Sequence, residues 1–175
     1  LDWFVLGVLS TAAVFVPLEG AFPLRRGQGA FRRGWPTDTQ YFFASHALAQ
    51  VMSVAVLVPA VAIGALLAVP AAQSAVQSLP WLVQFALAVL VADLAQYGVH
   101  RTFHAVPFLW RFHKVHHSVE VMDWLAGSRL HLVDVIVTRG LVLLALLVAG
   151  FAQSAVYAYL ALVSFHAVFI HANFA

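Results

Sequence analysis

The stretch WLVQFALAVLVADLAQYGVHRTFH, Trp81 to His104, decides the reading of this chain. About 20 mostly apolar residues suffice to cross a bilayer as a helix, and this run is long enough. Pro80 stands where a helix can begin, and Pro107 ends it. The run finishes on two histidines four residues apart, His100 and His104, which share one helical face. A membrane helix that ends in paired imidazoles points to a metal held at the membrane surface.

Nine residues further on comes HKVHH, with His113, His116 and His117 at spacings i, i+3 and i+4. In a helix these three rings would also share a face. Five imidazoles thus fall between positions 100 and 117 of a chain with no cysteine. Thiolate metal sites, disulfides and thiol nucleophiles are therefore excluded. Neutral imidazole suits iron, zinc, copper and nickel rather than magnesium or calcium. Two such faces turned toward each other make a nitrogen-rich pocket with room for more than one ion.

The rest of the chain has the same membrane character. Of its 175 residues 63% are hydrophobic and 9% charged, against about 25% charged in soluble domains. Its mean hydropathy is +0.91. The expected fold is an all-α polytopic membrane bundle with about five hydrophobic segments. These run from about Trp3 to Leu18, Tyr41 to Val69 (with Pro59 as a kink), Trp81 to His104, His131 to Ala149 and Ala155 to His171. Residues 70–79 read as a short polar loop and 150–154 as a tight turn. No repeat or low-complexity linker divides the sequence, so one domain over 1–175 is the simplest count. Both ends read as cut, because the chain lacks an initial methionine and stops within an apolar stretch. With a net charge of +2, no nucleic-acid partner is expected.

Orientation follows from the placement of basic residues. Arg25, Arg26, Arg32 and Arg33 lie in one loop, and Arg101, Arg111, Lys114 and Arg129 in another. Two spans separate these loops, so they share a side. The loops at 70–79 and 150–154 carry no Lys or Arg. By the positive-inside rule the basic loops and both histidine clusters are cytoplasmic. The last two segments then form a hairpin that returns His171 to the same face.

Other polar residues extend the candidate site. Asp93, Tyr97, His100 and His104 form one helical stripe. A carboxylate in a span is costly and usually functional, and Asp93 can fix a histidine tautomer or serve helix packing. Tyr97 has the same two readings. His171, and the deeper His166, are further ligand candidates, as is His131 in SRLHLVD. Asp134 and Arg139 are expected to face the protein interior. His46, alone in its segment, reads as a packing histidine.

The runs DLAQYGVHRTFH and LWRFHKVHHS resemble the fatty acid hydroxylase and sterol desaturase superfamily, integral-membrane histidine-rich oxygenases. The likeness extends from about Glu19 to the last residue. Arg129 and His131 resemble the superfamily's Arg-x-His-Pro element, with Leu132 where proline is usual. His171-Ala-Asn173 resembles the element just before its last histidine box, which this chain does not contain. The resemblance implies a pair of irons held by His100, His104, His113, His116, His117 and His171, with Arg129 and Asn173 as supporting residues. It implies insertion of oxygen into a lipid C–H bond, or desaturation of that bond. Such chemistry uses O2 and an external electron donor, such as a cytochrome b5-like protein, a ferredoxin or a reductase. It also implies that the gene encodes another HX2HH box beyond Ala175. No side chain outside the metal site is implied as catalytic.

Ligand type alone leaves zinc open, because the clusters lack the carboxylate-rich pattern of soluble di-iron proteins. A hydrolytic or non-catalytic zinc-binding membrane protein is therefore the alternative. A haem protein fits less well, since five clustered imidazoles are not two clamps on one macrocycle.

Overall fold

The computed structural model describes residues 2–29 and 31–174, with backbone alone for 2–5, 45–46 and 48–53. The side chain of His46 lies outside the described residues. Helices α1 (Asp2–Ala21), α2 (Trp35–Leu67), α3 (Pro70–Gln77), α4 (Trp81–Ala105), α5 (Pro107–His113), α6 (Leu132–Ala149) and α7 (Gln153–Phe169) follow in chain order. Single 3-10 turns at His116–Ser118 and Ala126–Ser128 lie between α5 and α6. The described residues contain no strand beyond one isolated bridge, Pro23 to Phe174.

The boundaries have local causes. Proline occupies the first turn of α2, α3 and α5, where its missing N–H costs nothing. Gly150 ends α6 in the left-handed conformation, at φ 76°. At the other end of α6, His131 Nδ1 accepts from Val133 N at 3.1 Å and caps the helix.

Helices α4 and α6 are long and apolar enough to cross a membrane. At 1.5 Å per residue they reach roughly 37 and 27 Å. The second half of α2 together with α3 makes a third candidate, a broken span or a re-entrant segment with a bend of 105°. Helices α1 and α7 contribute shorter apolar stretches. The result is an all-helical, polytopic membrane bundle.

The core lies where α4, α6 and α7 meet, around Ala88, Ala92, Val142, Leu146 and Tyr159. Ala88 and Ala92 are one turn apart, and small residues allow the close approach that membrane helices need. The outer faces expose Leu82, Leu90, Leu94 and Leu160. In a lipid environment such exposure carries no penalty.

Residues 70–79, expected as a loop, largely form α3. Their polar side chains satisfy backbone carbonyls that a span would leave open. Gln73 Nε2 donates to Leu147 O and Val148 O, both at 3.1 Å. Gln77 Nε2 donates to Gly150 O at 3.1 Å. Buried Gln84 bridges both turns: its amide donates to Leu79 O at 2.9 Å and accepts from Ala152 N at 2.9 Å. This end of the bundle is thus pinned by glutamines, and the opposite end carries the histidines.

Candidate metal centre

Three elements bring the first subsite together. His100 and His104 stand on the last turns of α4. His113 ends α5, and His117 sits in the 3-10 turn beyond it. One nitrogen from each of the four rings lies within 4.8 Å of the other three. His104 Nε2 is 3.1 Å from His100 Nε2 and 3.1 Å from His117 Nε2, and His117 Nε2 is 3.1 Å from His113 Nε2.

Those distances match donors around one ion. A metal–nitrogen bond of about 2.1 Å puts neighbouring nitrogens about 3.0 Å apart in an octahedron and about 3.4 Å apart in a tetrahedron. Proton accounting points the same way. His113 Nδ1 lies 2.7 Å from Asp134 Oδ2. A carboxylate only accepts, so neutral His113 keeps its proton on Nδ1 and presents a lone pair at Nε2. His117 Nε2 faces that lone pair and His104 Nε2 together. Protons satisfy this arrangement only by sharing one N–H between two acceptors. A single cation would take up all four lone pairs. Burial, then the neighbouring His113 and His104, lowers the pKa of His117.

A second pair adjoins the first group. His171, just beyond α7, places Nε2 3.4 Å from His116 Nε2. Each ring donates its Nδ1 proton to a backbone carbonyl: His116 to Arg129 O at 3.3 Å, and His171 to Ala167 O at 2.7 Å. Two lone pairs again face each other. Burial, with His171, His117 and His113 close by, pushes the pKa of His116 down to about 4. The His116 ring centre is 5.6 Å from that of His113 and 5.4 Å from that of His117. The arrangement is two adjoining subsites.

HKVHH does not form the single helical face that its spacing suggests. Helix α5 stops at His113 and a 3-10 turn follows. The change of pitch sends His117 toward His104 and sends His116 toward His171.

The structure brings other sequence candidates elsewhere. Asp93 is exposed on α4 and contacts no histidine. It shares the stripe of His100 but lies seven residues earlier, roughly 10 Å down the helix. Asp134 on α6 provides the carboxylate contact instead. Tyr97 is exposed, and its hydroxyl accepts from Arg101 at 3.2 Å. His131 caps α6 and packs its ring on Phe112 at 4.8 Å. His166 is exposed on α7, outside both subsites. Asn173 is buried and joins chain segments: its Oδ1 accepts from Arg25 N at 2.9 Å, and its backbone N–H donates to Glu19 Oε1 at 2.8 Å.

Arg129 supports the second pair through a buried charge network. Its guanidinium pairs with Asp38. Arg32 lies 2.6 Å from Asp38 and 2.6 Å from Asp123. This network locks the loop whose carbonyl at Arg129 holds His116. Sequence reasoning missed Asp38 and Asp123, which show no spacing relation to the histidines. Asp134, expected only to face the protein interior, is buried there; its partner His113 could not be read from the sequence. Sequence reasoning also passed over Trp110, whose ring lies 5.1 Å from that of His104 and 5.5 Å from that of His117.

Residues 85–175 match the fatty acid hydroxylase family, just over half of the chain. The fatty acid hydroxylase vlmA of Lecanicillium sp is 46% identical over 41 residues, which is 23% of this chain and 11% of that protein. The chain thus aligns with about a tenth of that relative's length. No solved structure matches.

Proposed function

The chain belongs to the fatty acid hydroxylase family, and we propose that it is a membrane-bound di-iron oxygenase acting on a lipid C–H bond. The observation that carries this reading is the pair of adjoining histidine subsites at one end of a membrane bundle. The bound irons would supply activation of O2. His100, His104, His113 and His117 would hold one iron, and His116 and His171 would contribute to the other. Hydroxylation converts R–H, O2, two electrons and two protons into R–OH and water. Desaturation consumes the same reagents and releases two waters with the alkene. The electrons come from an external donor protein.

The chain's own residues support a lipid as substrate. A groove of about 410 Å³ runs between α4 and α6, lined by Leu94, Val99, Phe103, Leu109 and Leu141 among others. Two of its lining residues, Leu94 and Leu141, are exposed, so it would open toward lipid. Phe103 forms its wall nearest the histidines, with the ring 5.4 Å from that of His113. An alkyl chain in the groove would approach the first subsite at Phe103, and Trp110 packs against His104 and His117 on the other side. Exposed Arg25, Arg26, Arg101, Arg111 and Lys114 support a cytoplasmic placement of this end.

The all-nitrogen first subsite favours one second reading, a zinc-binding membrane protein without oxygen chemistry. Lipid profiling under 18O2 separates the two. Cells expressing the full gene should accumulate a hydroxylated lipid carrying 18O, or an unlabelled desaturated lipid. Both products should disappear with His113→Ala. Unchanged lipids in cells holding inserted, iron-loaded protein and an active electron donor would reject the oxygenase reading.

A further inference from the structure

Asp134 and His113 are both buried, with 5% and 3% of their surface exposed. Asp134 uses both carboxylate oxygens. Oδ2 accepts from His113 Nδ1 at 2.7 Å, and Oδ1 accepts from Thr138 Oγ1 at 3.1 Å. The residue lies in the first turn of α6, where the helix end favours a negative charge. A charged acceptor is thus held rigidly against one ring of the four-histidine subsite.

The second pair is built differently. His116 and His171 both donate Nδ1 to neutral backbone carbonyls. A carboxylate acceptor makes its imidazole a stronger donor to metal than a carbonyl does, and it forbids the wrong tautomer. The first subsite also presents four ring nitrogens, against two in the second pair.

We propose that Asp134 is a positioning residue that commits His113 to its metal-binding tautomer, so that the four-histidine subsite fills before the His116–His171 pair. The proposal rests on the metal-binding part of the reading above and is independent of lipid oxidation. Its observable consequence is stepwise loading, with the two steps assigned to different residues.

Titration of the metal-stripped chain in detergent micelles with Co2+, followed by visible absorption and by metal analysis, tests this. The parent chain should bind in two phases. Asp134→Asn keeps the side-chain shape and removes the charge. It should weaken the tighter phase about 10–100-fold and leave the weaker phase in place. His171→Ala should remove the weaker phase alone. Equal weakening of both phases by Asp134→Asn would mark a purely structural role and overturn the proposal. So would a tighter phase indifferent to Asp134, or one lost with His171→Ala. Failure of the parent chain to bind Co2+ at all would overturn the metal reading itself, and the proposal with it.

Discussion

Gly127→Ala tests the second subsite without touching a ligand. Gly127 lies in the 3-10 turn before α6, against the ring of His171. A Cβ placed there would lie 2.9 Å from His171 Nδ1, 3.1 Å from Cγ and 3.2 Å from Cε1. Ordinary contact begins at 3.4 Å, so the ring must retreat by at least 3.4 − 2.9 = 0.5 Å. It has little freedom to rotate instead, because Nδ1 is bonded to Ala167 O at 2.7 Å. The clash falls on the Nδ1 side of the ring, and a retreat of the whole ring carries Nε2, the nitrogen that faces His116, with it. Misplacement of about 1 Å at a reacting centre can cost about 100-fold, so half that distance should cost roughly 10-fold. The expected outcome is a loss of about 10-fold in lipid product, with protein level and membrane insertion unchanged. Co2+ titration should show the weaker phase shifted and the tighter phase intact. Parental turnover together with an unshifted weaker phase would refute the claim that His171 is held where it binds metal.

Three further outcomes are expected. Asp38→Ala leaves the half-buried Arg129 guanidinium without its carboxylate, and buried Arg32 with one partner fewer. Breaking a buried pair costs about 3–5 kcal/mol, so a large fall in thermal midpoint in micelles should accompany weaker metal binding at His116; an unchanged midpoint would count against the network. Gly150→Ala forces a left-handed residue and places a Cβ 2.4 Å from Gln73 Cγ. It should lower thermal stability by more than the roughly 1 kcal/mol of the backbone term alone, with both Co2+ phases unmoved because the change lies at the other end of the bundle. Finally, folding lowers the pKa of His116 from 6.5 to about 4, so the unfolded chain binds the proton first as pH falls. The metal-free protein should therefore be most stable above about pH 6.5 and lose stability down to about pH 4. A thermal midpoint that stays flat across that window would contradict the burial of His116.

Periodicity and composition made the bundle legible because lipid imposes one rule on every residue of a span. Trp81 to His104 met that rule, and the structure extends the helix by one residue, to Ala105. The segment at 70–79 escaped it. Glutamines that cap another helix look the same in sequence as glutamines in a loop, and α3 is known only by what Gln73 and Gln77 contact. Within the metal centre, i, i+4 spacing placed His100 beside His104. Spacing gave no warning that His116 and His117, adjacent in sequence, would turn to different partners. That divergence depends on where α5 stops, and helix ends are the least determined feature of a sequence pattern. Asp93 attracted attention as a carboxylate inside a span on the histidine stripe. Asp134 is thirty residues from His104 in sequence, yet it touches the site. Through-space partners delivered by another helix leave no local trace.

The hairpin of α6 and α7 links these observations. Its first turn delivers Asp134 to His113, and its far end delivers His171 to His116. One excursion across the bundle thus contributes a supporting group to one subsite and a ligand to the other. The hairpin is held in place by the packing of Val142, Leu146 and Tyr159 against Ala88 and Ala92, well away from any histidine. Each subsite thus draws one group, Asp134 or His171, from the hairpin. HRTFH and HKVHH can bring rings together locally, but the orientation of His113 and the partner of His116 both come from the hairpin. A bulky residue at Ala92, which is fully buried, should therefore weaken both Co2+ phases together, unlike Asp134→Asn or His171→Ala. Ala92→Leu with a normal tighter phase would show that the centre assembles independently of the helix packing beneath it.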